Sequence, residues 1–278
     1  MKRTAVINDI SGFGKCSLTA AIPILSVLGV ECCPLVTAVL SNQTGYKSWH
    51  CTDLTGEMPK YLNEWKKLGY KFDSVLTGYM TGEKQADVII NAVKRFRSEG
   101  SLIVVDPVMA DDGRLYSTYS KELCKKVIKL ASLADIITPN LTELCILSQT
   151  SYKELTSHCN EEDYPLLVAE AAKKLLSDTL RTVIVTGVHF SNSICNIIVD
   201  CDVPTVIKSE IYPGSYSGTG DIFSSVVCGE ITKGMSVDYA VRTACKLIER
   251  ALRDTVREGT DRNDGIAFEK HLGVLINE

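Results

Sequence analysis

The sequence lacks the features that mark several common classes of protein. Its 278 residues carry a formal net charge of −4 and contain no basic block, which argues against a nucleic-acid-binding protein. The longest uncharged candidate for a membrane span, residues 16–30, is too short and contains Pro23. We therefore expect a chain with neither a nucleic-acid partner nor a membrane partner.

Motifs of several enzyme classes are also missing. There is no Gly-x-Ser-x-Gly elbow, and the four histidines have no metal-ligand spacing. Residues 12–16 contain part of a phosphate loop, but Cys16 stands where that motif requires Ser or Thr. Gly218 and Gly220 lack the third glycine of a dinucleotide fingerprint, where Phe223 stands. A serine hydrolase, a zinc enzyme and a dinucleotide-dependent oxidoreductase are all disfavoured.

Cysteine is plentiful but has no motif spacing. The chain contains 11 cysteines, an odd number, and no Cys-x-x-Cys pair. Most of them lie inside apolar runs, where a thiol behaves as a small hydrophobic side chain. We expect free thiols in a reducing cytoplasm.

Short β-branched runs alternate with helical patterns along most of the chain. Strands that are apolar on both faces and separated by helices indicate an α/β fold with a mostly parallel central sheet. The stretch 32–44 is predicted to form a β flap or an extra strand. The predicted strands are 4–8, 74–77, 102–105, 135–138 and 182–186, with a hairpin of 194–199 and 205–210; the predicted helices are 17–28, 59–68, 83–98, 120–131, 140–148, 166–177, 221–233 and 236–258.

Polar residues follow the predicted parallel strands. In open parallel sheets, ligands bind beyond the carboxyl ends of the strands. One polar strand end is an ordinary turn, but five of them predict a shared active-site rim. These strand ends are Asp9, the run 77–79, Asp106, the run 138–140, and Thr186 with Gly187.

The most informative segment is 214–221, a glycine-rich loop that opens into a predicted helix. Free backbone N–H groups at a helix start bind anions, and glycine allows a phosphate to approach closely. Asp221 would repel that phosphate unless it accepts a proton from the hydroxyl that attacks it. The other interpretation is a helix-capping Asp after a flexible loop, and the segment alone leaves both open.

Three further segments have a functional and an ordinary interpretation. Asp106 follows a buried strand and is a candidate Mg²⁺ or water ligand, and Asp111 is a weaker candidate because its surroundings are typical of a turn. Asn140 and Glu143 lie three residues apart at a predicted helix start, which fits either a cap or a metal–water site. The polar turn 41–46 with Trp49 is typical of an exposed loop or of the wall of a heteroaromatic pocket.

Together, the run Gly218-Thr219-Gly220-Asp221, the run 106–109 and the run 138–140 with Glu143 resemble the ribokinase-like superfamily, in particular its vitamin-kinase branch. Within that branch, 41–46 with Trp49, and 75–79, are similar to the substrate-pocket segments of pyridoxal kinases. The resemblance implies a three-layer αβα sandwich with a mostly parallel sheet and a small β flap. It also implies a single kinase domain over residues 1–278 that forms a homodimer.

The resemblance implies transfer of phosphate from ATP, with Mg²⁺, to the 5′-hydroxymethyl group of pyridoxal, pyridoxine or pyridoxamine. A requirement for a monovalent cation stays open. By match to the family pattern, Asp221 is the base, the anion hole contains Gly218, Thr219 and Gly220, and Mg²⁺ is bound through waters by Asp106 and Glu143. The same match gives Asn140, Thr186, Gly187 and Asp111 as nucleotide contacts, and Asp9, Ser11, Thr44, Trp49 and Tyr79 as substrate contacts.

The N-terminal segment departs from the pyridoxal kinase pattern. Asp9 stands where those enzymes have Ser, and Ser11 begins a glycine-containing turn that is similar to hydroxymethylpyrimidine kinases. An acid at this position would bind the ring nitrogen or the 3-hydroxyl. The alternatives are therefore a hydroxymethylpyrimidine kinase, a sugar kinase, or a non-catalytic protein that binds pyridoxal phosphate on a kinase fold.

Overall fold

The computed structural model describes residues 1–159 and 162–276. Their order along the chain alternates strands with helices. The strands are β1 (Arg3–Ser11), β2 (Glu31–Leu40), β3 (Cys51–Asp53), β4 (Ser74–Thr77), β5 (Leu102–Val105), β6 (Ala110–Asp111), β7 (Arg114–Leu115), β8 (Ile136–Ile137), β9 (Thr182–Phe190), β10 (Ser193–Val199) and β11 (Thr205–Glu210). The α-helices are α1 (Ser17–Val27), α2 (Met58–Lys67), α3 (Glu83–Ser98), α4 (Lys121–Ala131), α5 (Leu141–Ser148), α6 (Tyr152–Ser157), α7 (Tyr164–Lys173), α8 (Thr219–Thr232) and α9 (Val237–Glu258), and two 3₁₀ helices cover Arg262–Asp264 and Phe268–Leu275.

Contacts group the chain into two compact units. The first contains residues 1–102 and the described residues from Tyr212 onward, and the second runs from Ile103 to Ile211. The prediction of a single domain over residues 1–278 stays a prediction.

In the first unit, the buried strand β1 pairs in parallel with β2 on one side and with β4 on the other. The short strand β3 pairs antiparallel with β2. The register between β1 and β2 shifts between Asn8 and Ile10, which marks a bulge near the carboxyl end of β1. Bulges change the direction in which side chains point, and this one lies between Asn8 and Ile10, at the candidate residue Asp9.

In the second unit, β8 pairs in parallel with β5 and with β9. The chain then turns back, so that β9, β10 and β11 pair antiparallel in sequence order. Strands β6 and β7 form a separate two-stranded antiparallel sheet. Parallel strands in each unit, with antiparallel strands beside them, confirm the predicted α/β class with a mostly parallel sheet.

Most predicted elements are confirmed to within two residues, and the larger differences have physical causes. Strand β9 continues past the predicted end at Thr186 because β10 pairs with it as far as Phe190. Helix α7 begins at Tyr164 and ends at Lys173, earlier than predicted, and Pro165 in its first turn favours that start. Of the stretch 32–44, predicted as a flap or an extra strand, residues 32–40 lie in strand β2 and residues 41–44 lie in the turn that follows it. Strands β3, β6 and β7, helix α6 and both 3₁₀ helices were not predicted from the sequence.

Helix ends follow simple capping chemistry. The hydroxyl of Ser236 accepts a hydrogen bond from the N–H of Tyr239 at the start of α9, and Gly259 ends that helix with a φ of 66°. Each of the eleven cysteines is a free thiol. Among the described residues, no helix combines the length and apolar character that a membrane span requires.

Candidate active site

The glycine-rich loop 214–218 leads directly into α8, as the sequence predicts. Gly218 is the N-cap, and its left-handed backbone, with a φ of 82°, turns the chain into the helix. Thr219, Gly220 and Asp221 form the first turn, whose backbone N–H groups have no partners within the helix. We call residues 214–220 the anion loop. Its geometry is that of an anion site at the start of a 14-residue helix.

Gly218 also lies against the segment that connects β1 to α1. A Cβ atom at this position would lie 2.3 Å from the carbonyl oxygen of Lys15, and the backbone conformation already disfavours a side chain. On the other side of this contact, Lys15 and Ser17 have positive φ values of 49° and 51°. Two strained residues and one obligatory glycine therefore fix the anion loop against the start of α1.

Asp221 points back toward the end of β1. The Nδ2 of Asn8 donates a hydrogen bond of 2.9 Å to Asp221 Oδ1, and the backbone N–H of Ser17 also donates to this carboxylate. The pKa of Asp221 is raised to about 6; burial is the main cause and the charge of Asp9 contributes, while the two hydrogen-bond donors act in the opposite direction. A carboxylate with this pKa is ionised at neutral pH and matched to accept a proton there.

Asp9 is bonded to the loop that follows it. Its side chain is 4% exposed, and its two oxygens accept hydrogen bonds from Ser11 Oγ at 2.8 Å and Ser17 Oγ at 2.6 Å. Burial raises the pKa of Asp9, and the two serine hydroxyls lower it. These contacts give Asp9 and Ser11 a structural role in holding the start of α1. Their predicted contact with a substrate stays a prediction.

The polar turn 41–49, which we call the ring loop, is connected to the anion loop by Gln43. Gln43 Nε2 donates to Ser217 Oγ at 3.0 Å and to Asn263 Oδ1 at 3.1 Å, and the Tyr46 hydroxyl bonds the carboxylate of Asp264. The residues singled out from the sequence, Thr44 and Trp49, are exposed side chains of the same loop. Gln43 lies within the motif 41–46, but no role was predicted for it from the sequence, because its partners lie more than 170 residues away.

Tyr79 is half-buried beyond the end of β4. Its backbone N–H donates to Asn8 Oδ1 at 2.8 Å, and its carbonyl oxygen accepts from Thr37 Oγ1 at 3.1 Å. Asn8 therefore contacts both the candidate base and a predicted wall of the ring pocket. Asn8 was not predicted from the sequence, because a single polar residue within a buried strand has no local signal that distinguishes it.

In the second unit, Glu143 forms a capping box with Asn140. Asn140 Oδ1 accepts a hydrogen bond from the N–H of Glu143 at 2.9 Å, and Glu143 Oε2 accepts one from the N–H of Asn140 at 3.0 Å. Glu143 Oε1 also accepts from the N–H of Met109 at 3.0 Å, and burial raises the pKa of this carboxyl to about 8. The capping interpretation is thus realised. The predicted magnesium role of Glu143, and of Asp106 at the end of β5, stays a prediction.

The predicted nucleotide residues of the second unit lie near one another. Asn140 forms a parallel bridge with Thr186, and its Nδ2 donates to the carbonyl of Ala110 at 2.7 Å, directly before Asp111. Gly187, with a φ of 66°, follows Thr186. The structure therefore brings Asn140, Thr186 and the segment 110–111 to one edge of this unit.

An α/β sheet with a glycine-rich anion loop and a carboxylate in the first turn of the following helix defines a small-molecule kinase. The family model described as phosphomethylpyrimidine kinase matches residues 16–265. This match covers most of the sequence, and the chain belongs to the phosphomethylpyrimidine kinase family.

Individual relatives agree with this assignment. A pyridoxal kinase PdxY of Leifsonia xyli is 27% identical, over 91% of this chain and 89% of its own. A crystal structure of a candidate phosphomethylpyrimidine kinase from Bacteroides thetaiotaomicron, in a form with pyridoxal, is 38% identical, with a TM-score of 0.90 over 99% of this chain and 95% of its own. The pyridoxal kinase of Lactobacillus plantarum is 25% identical, with a TM-score of 0.86 over 99% of this chain and 96% of its own. The resemblance stated from the motifs, and the ribokinase-like fold, are confirmed.

Proposed function

We propose that this protein transfers the terminal phosphate of ATP to the 5′-hydroxymethyl group of pyridoxal, pyridoxine and pyridoxamine. The observation that carries the proposal is the pairing of the anion loop with Asp221, whose carboxylate receives hydrogen bonds from Asn8 and Ser17. The relatives named pyridoxal kinase and the pyridoxal-containing Bacteroides crystal support a B6 vitamer as the alcohol.

The chemistry at the anion loop needs positioning and charge neutralisation more than covalent catalysis. Asp221 accepts the proton of the substrate hydroxyl as its oxygen approaches phosphorus. The backbone N–H groups of the first turn of α8 donate to the oxygens of the transferred phosphate, and the positive end of the helix dipole adds about half a charge. Gly218 turns the chain into the helix, and Gly220 has no side chain that could obstruct that approach.

In the second unit, we assign nucleotide binding to Asn140, Thr186, Gly187 and Asp111, and magnesium binding to Asp106 and Glu143. Among the described residues, no group of three or more His, Cys, Asp or Glu side chains could hold a metal by itself. Mg²⁺ usually keeps several waters and takes one or two carboxylates together with substrate phosphates, so these two acids fit it. When bound, it would neutralise charge on the phosphate oxygens.

In the first unit, we assign the vitamer ring to the ring loop and its neighbours. Thr44, Trp49 and Tyr79 would surround the ring, and the Asp9–Ser11 pair would contact its polar edge. The exposed indole of Trp49, with 40% of its surface accessible, is available for stacking on a flat ring. Asp9 already accepts hydrogen bonds from two serine hydroxyls. Any hydrogen bond by which Asp9 discriminates among the vitamers would therefore use the remaining lone pairs of its carboxylate.

Two further proposals concern the molecule as a whole. We propose a homodimer, on the strength of the resemblance to pyridoxal kinases. We also propose a cytoplasmic location, which the eleven free thiols support because disulfides are rare in that compartment.

The test is ADP release measured side by side with pyridoxal, pyridoxine, pyridoxamine and hydroxymethylpyrimidine. We expect turnover with the three vitamers and little with the pyrimidine. Dominant turnover of hydroxymethylpyrimidine would instead support the other activity of this family. If no alcohol consumes ATP while pyridoxal phosphate binds, the protein is a binding protein on a kinase fold.

The role of Asp221 is tested by Asp221→Asn, which preserves shape but removes the base. We expect kcat to fall by about 10²–10⁴-fold, the usual contribution of a well-placed base, with the affinity for ATP largely unchanged. Asp178→Asn, an exposed acid-to-amide change elsewhere in the chain, is the matched control. An Asp221→Asn variant that keeps most of its kcat would exclude Asp221 as the base.

A further inference from the structure

Asn8 occupies an unusual position at the end of β1. It lies at the bulge in the β1–β2 pairing, and its side chain is buried. Its Nδ2 donates to Asp221 at 2.9 Å, and its Oδ1 accepts from the backbone N–H groups of Tyr79 at 2.8 Å and Asp9 at 3.0 Å. One amide thus contacts the candidate base, the candidate ring pocket and the neighbouring acid.

Gly78 fixes where this amide can lie. A Cβ atom on Gly78 would come within 2.5 Å of Asn8 Nδ2 and 2.7 Å of Asn8 Cγ. The backbone at Gly78 is held by its own N–H, which donates to the carbonyl of Ile7 at 3.0 Å. Glycine is required here for space, because any side chain would displace the Asn8 amide.

We propose that Asn8 is a positioning residue, held in place by Gly78, that fixes the carboxylate of Asp221 relative to the ring pocket at Tyr79. The inference deepens the proposed function and rests on it. In this proposal Asn8 acts through Asp221 and not by contact with the hydroxyl or the phosphate. The two ends of the amide have different roles. The amide nitrogen donates a hydrogen bond to Asp221, and the amide oxygen accepts one from the backbone N–H of Tyr79.

The charges around Asp221 give the direction of the effect. Asp9, from β1, is an acid that disfavours the ionised form of Asp221, and the Cys16 thiol before α1 is neutral because burial raises its pKa. Among the described residues, the hydrogen bonds from Asn8 and from the N–H of Ser17 favour the carboxylate, and so does the position of Asp221 in the first turn of α8. Removing the amide therefore raises the pKa of Asp221 and moves the acidic limb of the pH profile upward.

The experiment measures kcat and KM for pyridoxal from pH 5 to pH 9 at saturating ATP. In Asn8→Ala we expect the acidic limb of kcat/KM to move up by about 1 to 2 pH units, the effect of one hydrogen bond to a charged group. We also expect kcat to fall by about 10–100-fold at its plateau, because the base is no longer positioned. Asn91→Ala, at an exposed position of α3, is the matched control.

Asn8→Asp separates the two ends of the amide. It retains the oxygen that accepts from the N–H of Tyr79, so KM for pyridoxal stays near the wild-type value. It replaces the donor with a second acid beside Asp221, so the acidic limb moves further than in Asn8→Ala. A merely structural role would change KM and stability in both variants and leave the pH profile in place.

Gly78→Ala provides an independent approach to the same amide. In the wild-type background it should reproduce the shifted limb and lowered kcat of Asn8→Ala. In the Asn8→Ala background it should add little, because the shorter side chain leaves room for the new methyl group. Effects on kcat and on the acidic limb that do not add in the double variant are expected when two substitutions act through one group.

Two outcomes overturn the proposal: an unmoved acidic limb in a folded Asn8→Ala variant, or effects of Gly78→Ala that add fully to those of Asn8→Ala. Circular dichroism melting identifies variants that do not fold. If the wild-type protein phosphorylates no alcohol, the proposed function has failed. The effect of Asn8 on Asp221 is then measured by the pH titration of the ¹³C resonance of the Asp221 carboxyl. That resonance is assigned by its loss in Asp221→Asn, and its titration must shift upward in Asn8→Ala.

Discussion

Gly218→Ala is the substitution for which the structure predicts the sharpest loss of activity in the anion loop. Two separate effects oppose the new methyl group. The backbone of Gly218 has a φ of 82°, which costs an L-residue about 1–2 kcal/mol. The ideal Cβ would also lie 2.3 Å from the carbonyl oxygen of Lys15, where an ordinary contact is at least 3.4 Å.

The size of the loss follows from that contact. Either Lys15 or the start of α8 must move by about 1 Å to relieve the overlap, and a displacement of that size in a reacting geometry costs about 10²-fold in rate. This corresponds to about 2.7 kcal/mol of transition-state stabilisation. We expect kcat to fall by this factor or more, and the free energy of unfolding to fall by about 1–3 kcal/mol.

The assay is ADP release at saturating ATP and pyridoxal, together with urea denaturation of the same preparation. Gly214→Ala is the matched control, since Gly214 belongs to the same loop and has a φ of 92°, yet its nearest neighbour is the side chain of Tyr216 at 3.3 Å. It shares the conformational cost without the overlap with backbone. Equal losses of kcat in the two variants would refute the reasoning, because the contact with Lys15 would then not matter.

Three further predictions concern other parts of the protein. Asp221 must be ionised to accept a proton, so kcat/KM should rise with pH through about 6 and fall about tenfold per unit well below it, as a pH-rate profile will show. Asn140→Ala removes the cap of α5 and a hydrogen bond to the carbonyl of Ala110, and should lower the free energy of unfolding in urea by about 1–3 kcal/mol. Asn140→Asp keeps the cap and should lower it by less. Gln43→Ala removes the bond to Ser217, so steady-state kinetics should show KM for pyridoxal rising about tenfold with a smaller change in kcat; an unchanged KM would exclude this coupling of the ring loop.

The helices and strands could be predicted from the sequence where their bounds depend on neighbouring residues. Strand β4, helix α3 and strand β5 have the predicted bounds, because hydrophobic periodicity and turn residues are properties of neighbouring residues. The capping box of Asn140 and Glu143 could be recognised as one of two interpretations of this segment, because a cap also depends only on neighbouring residues. Strand β9 was predicted too short, since its end depends on pairing with β10.

The candidate site was predictable only in part. Residues at strand ends and in the anion loop carry recognisable motifs, and Asp221, Tyr79 and Thr186 were named from them. Asn8 and Gln43 were missed, because a single polar residue in a strand or turn has no local signal that distinguishes it. Their importance lies in partners far along the chain.

The sequence by itself determined the α/β class, the anion loop and the acid that follows it, since each depends on residue types within a few positions. Tertiary structure alone decided what those residues contact. It placed Asn8 against Asp221, 213 residues later in the chain, and it turned both oxygens of Asp9 toward Ser11 and Ser17. The reason is physical: hydrogen-bond partners, burial and the pKa values that follow from them depend on distances in space, which local sequence does not specify.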